Sequence, residues 1–322
     1  MEGTKQIRVS NRNLQYRFTI TRNITIVTGD SGTGKTTLYD LIEEHTRLGA
    51  ASGVHIVADA PCIALTDLDW LNQLRRTTSS VVFVDEGFEP LATHDFAAAI
   101  KSTDNYYVLM TREPMYELPY SVDEIYEIRT SGKYHTLQKM YQRTNDRLYA
   151  LATDSQAVTH ILTEDSHAGF QFYEHYYDGT SVTCHSAGSD SGIFAWLQKH
   201  HDEGVFVIAD GAAFGSEMKR VMEIQRQFPD QITICLPESF EWLILQSGLM
   251  DFPGLGKVLE NPSASIDSQQ YFSWENFFET YLVQHTVGTH YAYSKSQIHS
   301  FYTVRENSGK IVALISAHMP KA

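Results

Sequence analysis

Short, mainly apolar runs rich in β-branched residues recur along the first 150 residues, each closing on a glycine or an acidic residue. They are "NITIVTG" (23–29), "GVHIVAD" (53–59), "SSVVFVDE" (79–86) and "NYYVLMTRE" (105–113). Runs of this length bounded by turn residues predict strands buried on both faces, the pattern of a parallel sheet. Between them, "GKTTLYDLIEEHTRL" spaces Leu38, Leu41, Ile42 and Leu48 close to a helical period, and "THDFAAAIKS" reads as a short helix. "QIRVSNRNLQYRFTITRN" predicts strand, turn and strand ahead of the first run. "DEIYEIRTSGKYHTLQKMY" predicts a hairpin about Ser131-Gly132-Lys133.

From about residue 149 the pattern becomes a repeated strand–helix unit. A strand near 159–163 precedes an aromatic-rich helix; "TSVTCHS" precedes a Gly/Ser loop (186–192) and a helix; "GVFVIADG" and "QITICLP" each precede a further helix. Repeated β-α units imply a second, mainly parallel sheet covered by helices. The expected fold class is therefore α/β in two domains, 1–148 and 149–322, joined near 145–155, the second ending in a helical and strand extension. In that extension "SWENFFETYLVQHT" is an amphipathic helix facing a core. Glu238 and Glu241 are expected in solvent, and His200-His201 in a charged, solvated turn.

Charge sharpens the division. Of the 322 residues, 25 are Lys or Arg and 39 Asp or Glu. Residues 1–150 hold 16 basic against 19 acidic side chains, a net of −3; residues 151–322 hold 9 against 20, a net of −11. Phosphate binding is driven by Lys and Arg, so charge does not support a broad nucleic-acid surface on the second half. No apolar run reaches the roughly 18 residues of a membrane span, and "MEGTKQIRVSNRN" lacks a signal-peptide core. Cys62, Cys184 and Cys235 fit no metal spacing. The expectation is a cytoplasmic chain with reduced thiols and no membrane partner.

"GDSGTGKT" (29–36) satisfies G-x-x-x-x-G-K-[ST] between a predicted strand and a predicted helix, the context this phosphate-binding loop requires. Gly29, Asp30, Ser31, Gly32, Thr33 and Gly34 would turn backbone N–H groups inward around phosphates, and the helix start adds its positive dipole end. Lys35 is expected on the β- and γ-phosphates, Thr36 on Mg²⁺, and Thr37 beside them. The run 81–84 ends in Asp85-Glu86, which resembles a Walker B strand. Asp85 would contact the Mg²⁺ shell and Glu86 would polarise an attacking water. Arg112, after the next strand, stands where a γ-phosphate sensor is often found. With the antiparallel strands ahead of it, this half resembles the ABC-type ATPases and their overcoming-lysogenisation-defect relatives in DNA repair and phage defence. It departs from them in the short Lys35-to-Asp85 interval and in lacking an ABC signature sequence.

Over roughly 155–240 the order of motifs resembles a Toprim domain. Glu164 follows the first strand, Gly188 the second, and "ADGAAFG" (209–215) the third, with Asp210 in place but Ala212 where that family has a second aspartate. The resemblance implies Mg²⁺ held by Glu164 and Asp210. Together the two halves imply an NTPase using ATP (or GTP) and Mg²⁺ to control a Toprim-like domain in a nucleic-acid-related system. The alternatives are a P-loop kinase or phosphotransferase, and a nucleotide-binding regulatory or scaffold subunit with an inactive second domain. A protein partner or a second copy of the chain is compatible with each.

Overall fold

The computed structural model describes residues 1–66, 69–143, 148–152, 158–315 and 319–320. Much of the expected junction at 145–155 lies outside the described residues. The protein is α/β with two sheets. It forms two compact units, 1–141 with 261–273, and 142–260 with 274–322.

The first unit contains β1 (Lys5–Ser10), β2 (Gln15–Ile20), β3 (Ile24–Thr28), α1 (Lys35–Leu48), β4 (His55–Ala58), β5 (Cys62–Ala64), α2 (Trp70–Arg76), β6 (Val81–Val84), α3 (His94–Lys101), β7 (Tyr106–Met110), β8 (Ile125–Ser131) and β9 (Tyr134–Lys139). Its nine strands lie in the order β4-β1-β2-β9-β8-β3-β7-β6-β5. The block β8-β3-β7-β6-β5 is parallel throughout. Its middle strands β6 and β7 are buried at every residue, which is why they read as unbroken apolar runs. Leu38, Leu41 and Ile42 of α1 complete a core with Val27, Phe83 and Val108 of the sheet and Tyr16, Phe18 and Ile20 of β2. The hairpin forms as its turn residues require: Ser131 pairs with Tyr134 across Gly132, which has φ +60°.

The run 53–59 differs from its expected burial on both faces. It forms β4, an edge strand antiparallel to β1, with His55 and Val57 exposed. Val54, Ile56 and Val57 drew the pattern toward burial, yet an edge strand pairs on one side only.

The second unit contains β10 (Leu148–Ala150), β11 (His160–Thr163), α4 (Ala168–Tyr176), β12 (Thr183–Ser186), α5 (Asp190–His200), β13 (Val205–Ile208), α6 (Gly215–Gln227), β14 (Ile232–Cys235), α7 (Phe240–Gln246), α8 (Leu255–Glu260), α9 (Trp274–Thr286), α10 (Ser300–Thr303) and α11 (Arg305–Val312). The order is β10-β14-β13-β11-β12, parallel except for β10. Serines open two of the helices: Ser189 Oγ accepts from Gly192 N–H at 3.3 Å and Ser239 Oγ from Trp242 N–H at 3.1 Å. Gly211 is required by packing, since a Cβ there would lie 2.7 Å from the Leu236 carbonyl oxygen and 2.8 Å from that of Pro237. Glu238 and Glu241 are not in solvent: α7 is buried from Phe240 to Leu245 and has no polar face to present.

Candidate functional sites

In the first unit the loop from Gly29 to Gly34 joins the C-terminal end of β3 to the N-terminus of α1. Gly29, Gly32 and Gly34 hold φ of +119°, +80° and +101°, conformations that side-chain-bearing residues rarely adopt. Gly34 is constrained twice. A Cβ on it would meet Tyr16 Oη at 3.0 Å, and that hydroxyl donates to the Gly34 carbonyl at 3.1 Å. Burial pushes the Tyr16 phenol up to about 12, and a hydrogen bond with Thr37 works against the shift. No side chain caps α1, so its first-turn N–H groups keep donors to spare at the loop.

Lys35 is only 4% exposed. Its ammonium donates to the carbonyls of Gly29 and Asp30, the latter at 3.1 Å. Burial lowers its pKa; Glu86, Asp30 and Asp85 oppose the shift, and Arg112 adds to it. Because β7 lies between β3 and β6, the three strand ends stand side by side. They carry the glycine loop, Arg112 and Asp85-Glu86 respectively. Arg112 Nη2 donates to Glu86 Oε1 at 2.8 Å. Both side chains line a cavity of about 110 Å³ with Ser31, Gly32, Thr33, Gly34, Lys35, Thr36 and Thr37.

Asp85 accepts from Gly87 N–H at 3.3 Å through Oδ2, whereas its Oδ1 is buried with no hydrogen-bond partner among the described residues. A carboxylate oxygen in that condition suits a cation. Sequence reasoning overlooked Asp40, one helical turn after Thr36 on the same face of α1. Its side chain is exposed, and partial burial of the carboxyl with the charges of Asp85 and Glu43 raises its pKa.

In the second unit β11 and β13 are adjacent and parallel, with Thr163 opposite Ile208. Glu164 and Asp210 therefore emerge from neighbouring strand ends: Asp210 N–H donates to Glu164 Oε2 at 3.2 Å. Asp210 Oδ1 accepts from Phe240 N–H at 3.1 Å. Glu164 and Asp210 line a cavity of about 30 Å³; Gly188, with φ +83°, lies beyond β12 and is not among its lining residues. Glu241, Tyr293 and Lys295 also line the site; the sequence favoured solvent for Glu241 and did not single out the other two. Glu241 accepts from Tyr293 Oη at 2.7 Å, and Lys295 Nζ binds Glu275 Oε1 at 2.6 Å, with Glu279 Oε2 at 3.6 Å. Burial raises the pKa of Glu164, Asp210 and Glu241. Burial opposes the charge on Lys295, but Glu275, Asp210 and Glu241 outweigh it and raise its pKa.

At the other end of β11 a second polar cluster forms. His160 contacts His185 (Nδ1 to Nε2, 3.0 Å) and Glu203 (Nε2 to Oε2, 2.5 Å), while His200 Nδ1 lies 3.3 Å from Glu203 Oε1. His200 also stacks on Trp196, so it is part of a packed cluster and not of a freely solvated turn.

Among the described residues no group of three or more His, Cys, Asp or Glu is arranged to hold a metal ion, and no helix is long and apolar enough to cross a membrane. No protein-family model matches the chain, and comparison with curated proteins finds no match.

Proposed function

We propose that the first unit is a P-loop NTPase domain that binds ATP, or GTP, with Mg²⁺ at residues 29–37 and hydrolyses it. In this reading turnover controls the second, Toprim-like unit in a nucleic-acid-related system such as phage defence or repair. The observation that carries the nucleotide reading is the order of three strand ends, with the glycine loop on β3, Arg112 after β7 and Asp85-Glu86 after β6.

On binding, the Lys35 ammonium exchanges the Gly29 and Asp30 carbonyls for phosphate oxygens, a stronger, charge-assisted contact. Thr36 and Asp85 are the residues that would hold Mg²⁺, which supplies charge neutralisation on the phosphates. The backbone N–H groups of the loop orient the phosphates. Arg112 turns to the terminal phosphate and gives up Glu86, whose carboxylate then accepts a proton from the attacking water.

A second reading, a regulatory subunit that binds nucleotide and rarely turns it over, is favoured by the Arg112–Glu86 ion pair, which occupies the carboxylate needed for hydrolysis. Both are tested by titrating the purified protein with ATP and GTP in Mg²⁺, with and without DNA, and following nucleoside diphosphate release. Binding without release selects the second reading; no binding of either nucleotide defeats both.

A further inference from the structure

The Gly34 carbonyl accepts two hydrogen bonds, from the Leu38 N–H at 3.0 Å inside α1 and from Tyr16 Oη at 3.1 Å. A peptide unit is planar and trans, so its N–H points away from its C=O. The N–H of this same unit belongs to Lys35, and it donates to no partner among the described residues. Gly34 and Lys35 both line the cavity at the glycine loop. Whatever fixes the Gly34 carbonyl therefore also fixes the direction of a spare donor at the phosphate site.

We propose that Tyr16 is a positioning residue for phosphate: its hydroxyl, acting through Gly34, locks the Gly34–Lys35 peptide so that the Lys35 amide is presented to a phosphate oxygen. Tyr16 does not touch the ligand itself. It is 1% exposed and is not among the residues that line the cavity. It comes from β2, outside the parallel block that carries the rest of the site. Its ring is held in turn. Tyr16 and His135 are register partners on β2 and β9, and their rings stack with centroids 4.4 Å apart and planes at 17°. His135 Nδ1 lies 2.9 Å from Thr130 Oγ1, which ties that ring to β8. Burial keeps the Tyr16 phenol protonated well above neutral pH, so the hydroxyl remains a donor. Gly34 needs such a hold from outside, because at φ +101° it has no side chain to limit the flanking peptide and no side chain caps α1. A donor already oriented costs less to order when the ligand binds. This role rests on the nucleotide reading of residues 29–37 and adds that the loop's affinity for phosphate is set in part from β2 and β9.

The test compares wild type with Tyr16→Phe, which keeps the ring and removes one oxygen. Isothermal titration with ATP and with inorganic triphosphate, both in Mg²⁺, is paired with a thermal melt of the nucleotide-free protein. Tyr16→Phe is expected to raise Kd about fivefold, the net worth of one ordinary hydrogen bond. The factor should be the same for both probes, because triphosphate has no nucleoside. A merely structural phenol would lower the melting temperature and leave both Kd values at the wild-type level, and that result overturns the proposal alone. So would an effect confined to ATP, which would place Tyr16 at the nucleoside. A wild type that binds neither probe defeats the nucleotide reading and this role with it. Should Tyr16→Phe fail to fold, His135→Ala serves, since it leaves the hydroxyl and frees the ring. Its Kd for triphosphate is expected to rise, and an unchanged value overturns the proposal.

Discussion

Arg112 and Glu86 are joined by a 2.8 Å hydrogen-bonded ion pair across the ends of β7 and β6. The guanidinium expected to face phosphate thus holds the carboxylate expected to act on water. Glu86→Gln should still bind ATP but turn it over about 10²- to 10⁴-fold more slowly, the usual cost of losing a general base. Single-turnover measurement of phosphate release checks this. Turnover at the wild-type rate would make Glu86 a structural partner of Arg112.

Lys35→Ala should weaken nucleotide binding at least tenfold, on the order of one lost charge-assisted contact. Melting should change little, because the ammonium bonds only to carbonyls of its own loop. Isothermal titration with ATP and Mg²⁺, paired with a thermal melt, reads both quantities. Wild-type affinity in this variant would remove the basis of the P-loop reading.

Gly34→Ala meets two obstacles, the backbone at φ +101° and Tyr16 Oη at 3.0 Å from the new Cβ. A loss of about 1–3 kcal/mol in stability is expected from the backbone alone. Adding Tyr16→Phe removes the obstructing oxygen and should recover the steric share but not the backbone share. Equal urea midpoints for the single and double variants would show that Tyr16 does not limit the loop.

His185 links the histidine cluster to pH. Burial lowers its pKa, and the neighbouring His160 and His200 lower it further, against Glu203. A folded-state pKa below the unfolded value of 6.5 means that the unfolded chain binds more protons once pH falls beneath it. The stability is therefore complete above 6.5 and is lost as pH falls. The ceiling is ~1.4 kcal/mol per pH unit for one full proton, and solvent around this partly exposed ring reduces it. Wild type should lose more stability than His185→Gln between neutral and mildly acidic buffer. Parallel losses in the two proteins would assign the pH response to other groups.

The glycine loop was legible because its demands are local: three glycines, a lysine and a threonine within eight residues, flanked by runs that can only be a strand and a helix. Asp210 and Glu164 were legible because parallel strands bring such ends together. Tyr293 and Lys295 were not. They lie in "YAYSKS", a polar stretch whose local pattern carries no trace of the segment packed against it. Glu241 misled for a related reason, since polarity suggests solvent only where a helix has an exposed face, and α7 has none. β5, three residues long, is too short to declare a period.

Residues 261–273 belong to the first unit although residues 142–260 before them and 274–322 after them belong to the second. Gly3 N–H donates to the Ser263 carbonyl at 2.7 Å, Ser268 Oγ to the Asp104 carbonyl at 2.8 Å, and Asn23 Nδ2 to the Phe272 carbonyl at 2.6 Å. The polypeptide therefore passes from one unit to the other three times. Neither half is a contiguous cassette. A break at residue 148 would strip the nucleotide-binding half of a strap that tethers Asn23, just ahead of β3. Recombination that trades one half for another must carry two exchanged segments at once, which ties the inheritance of the two halves together.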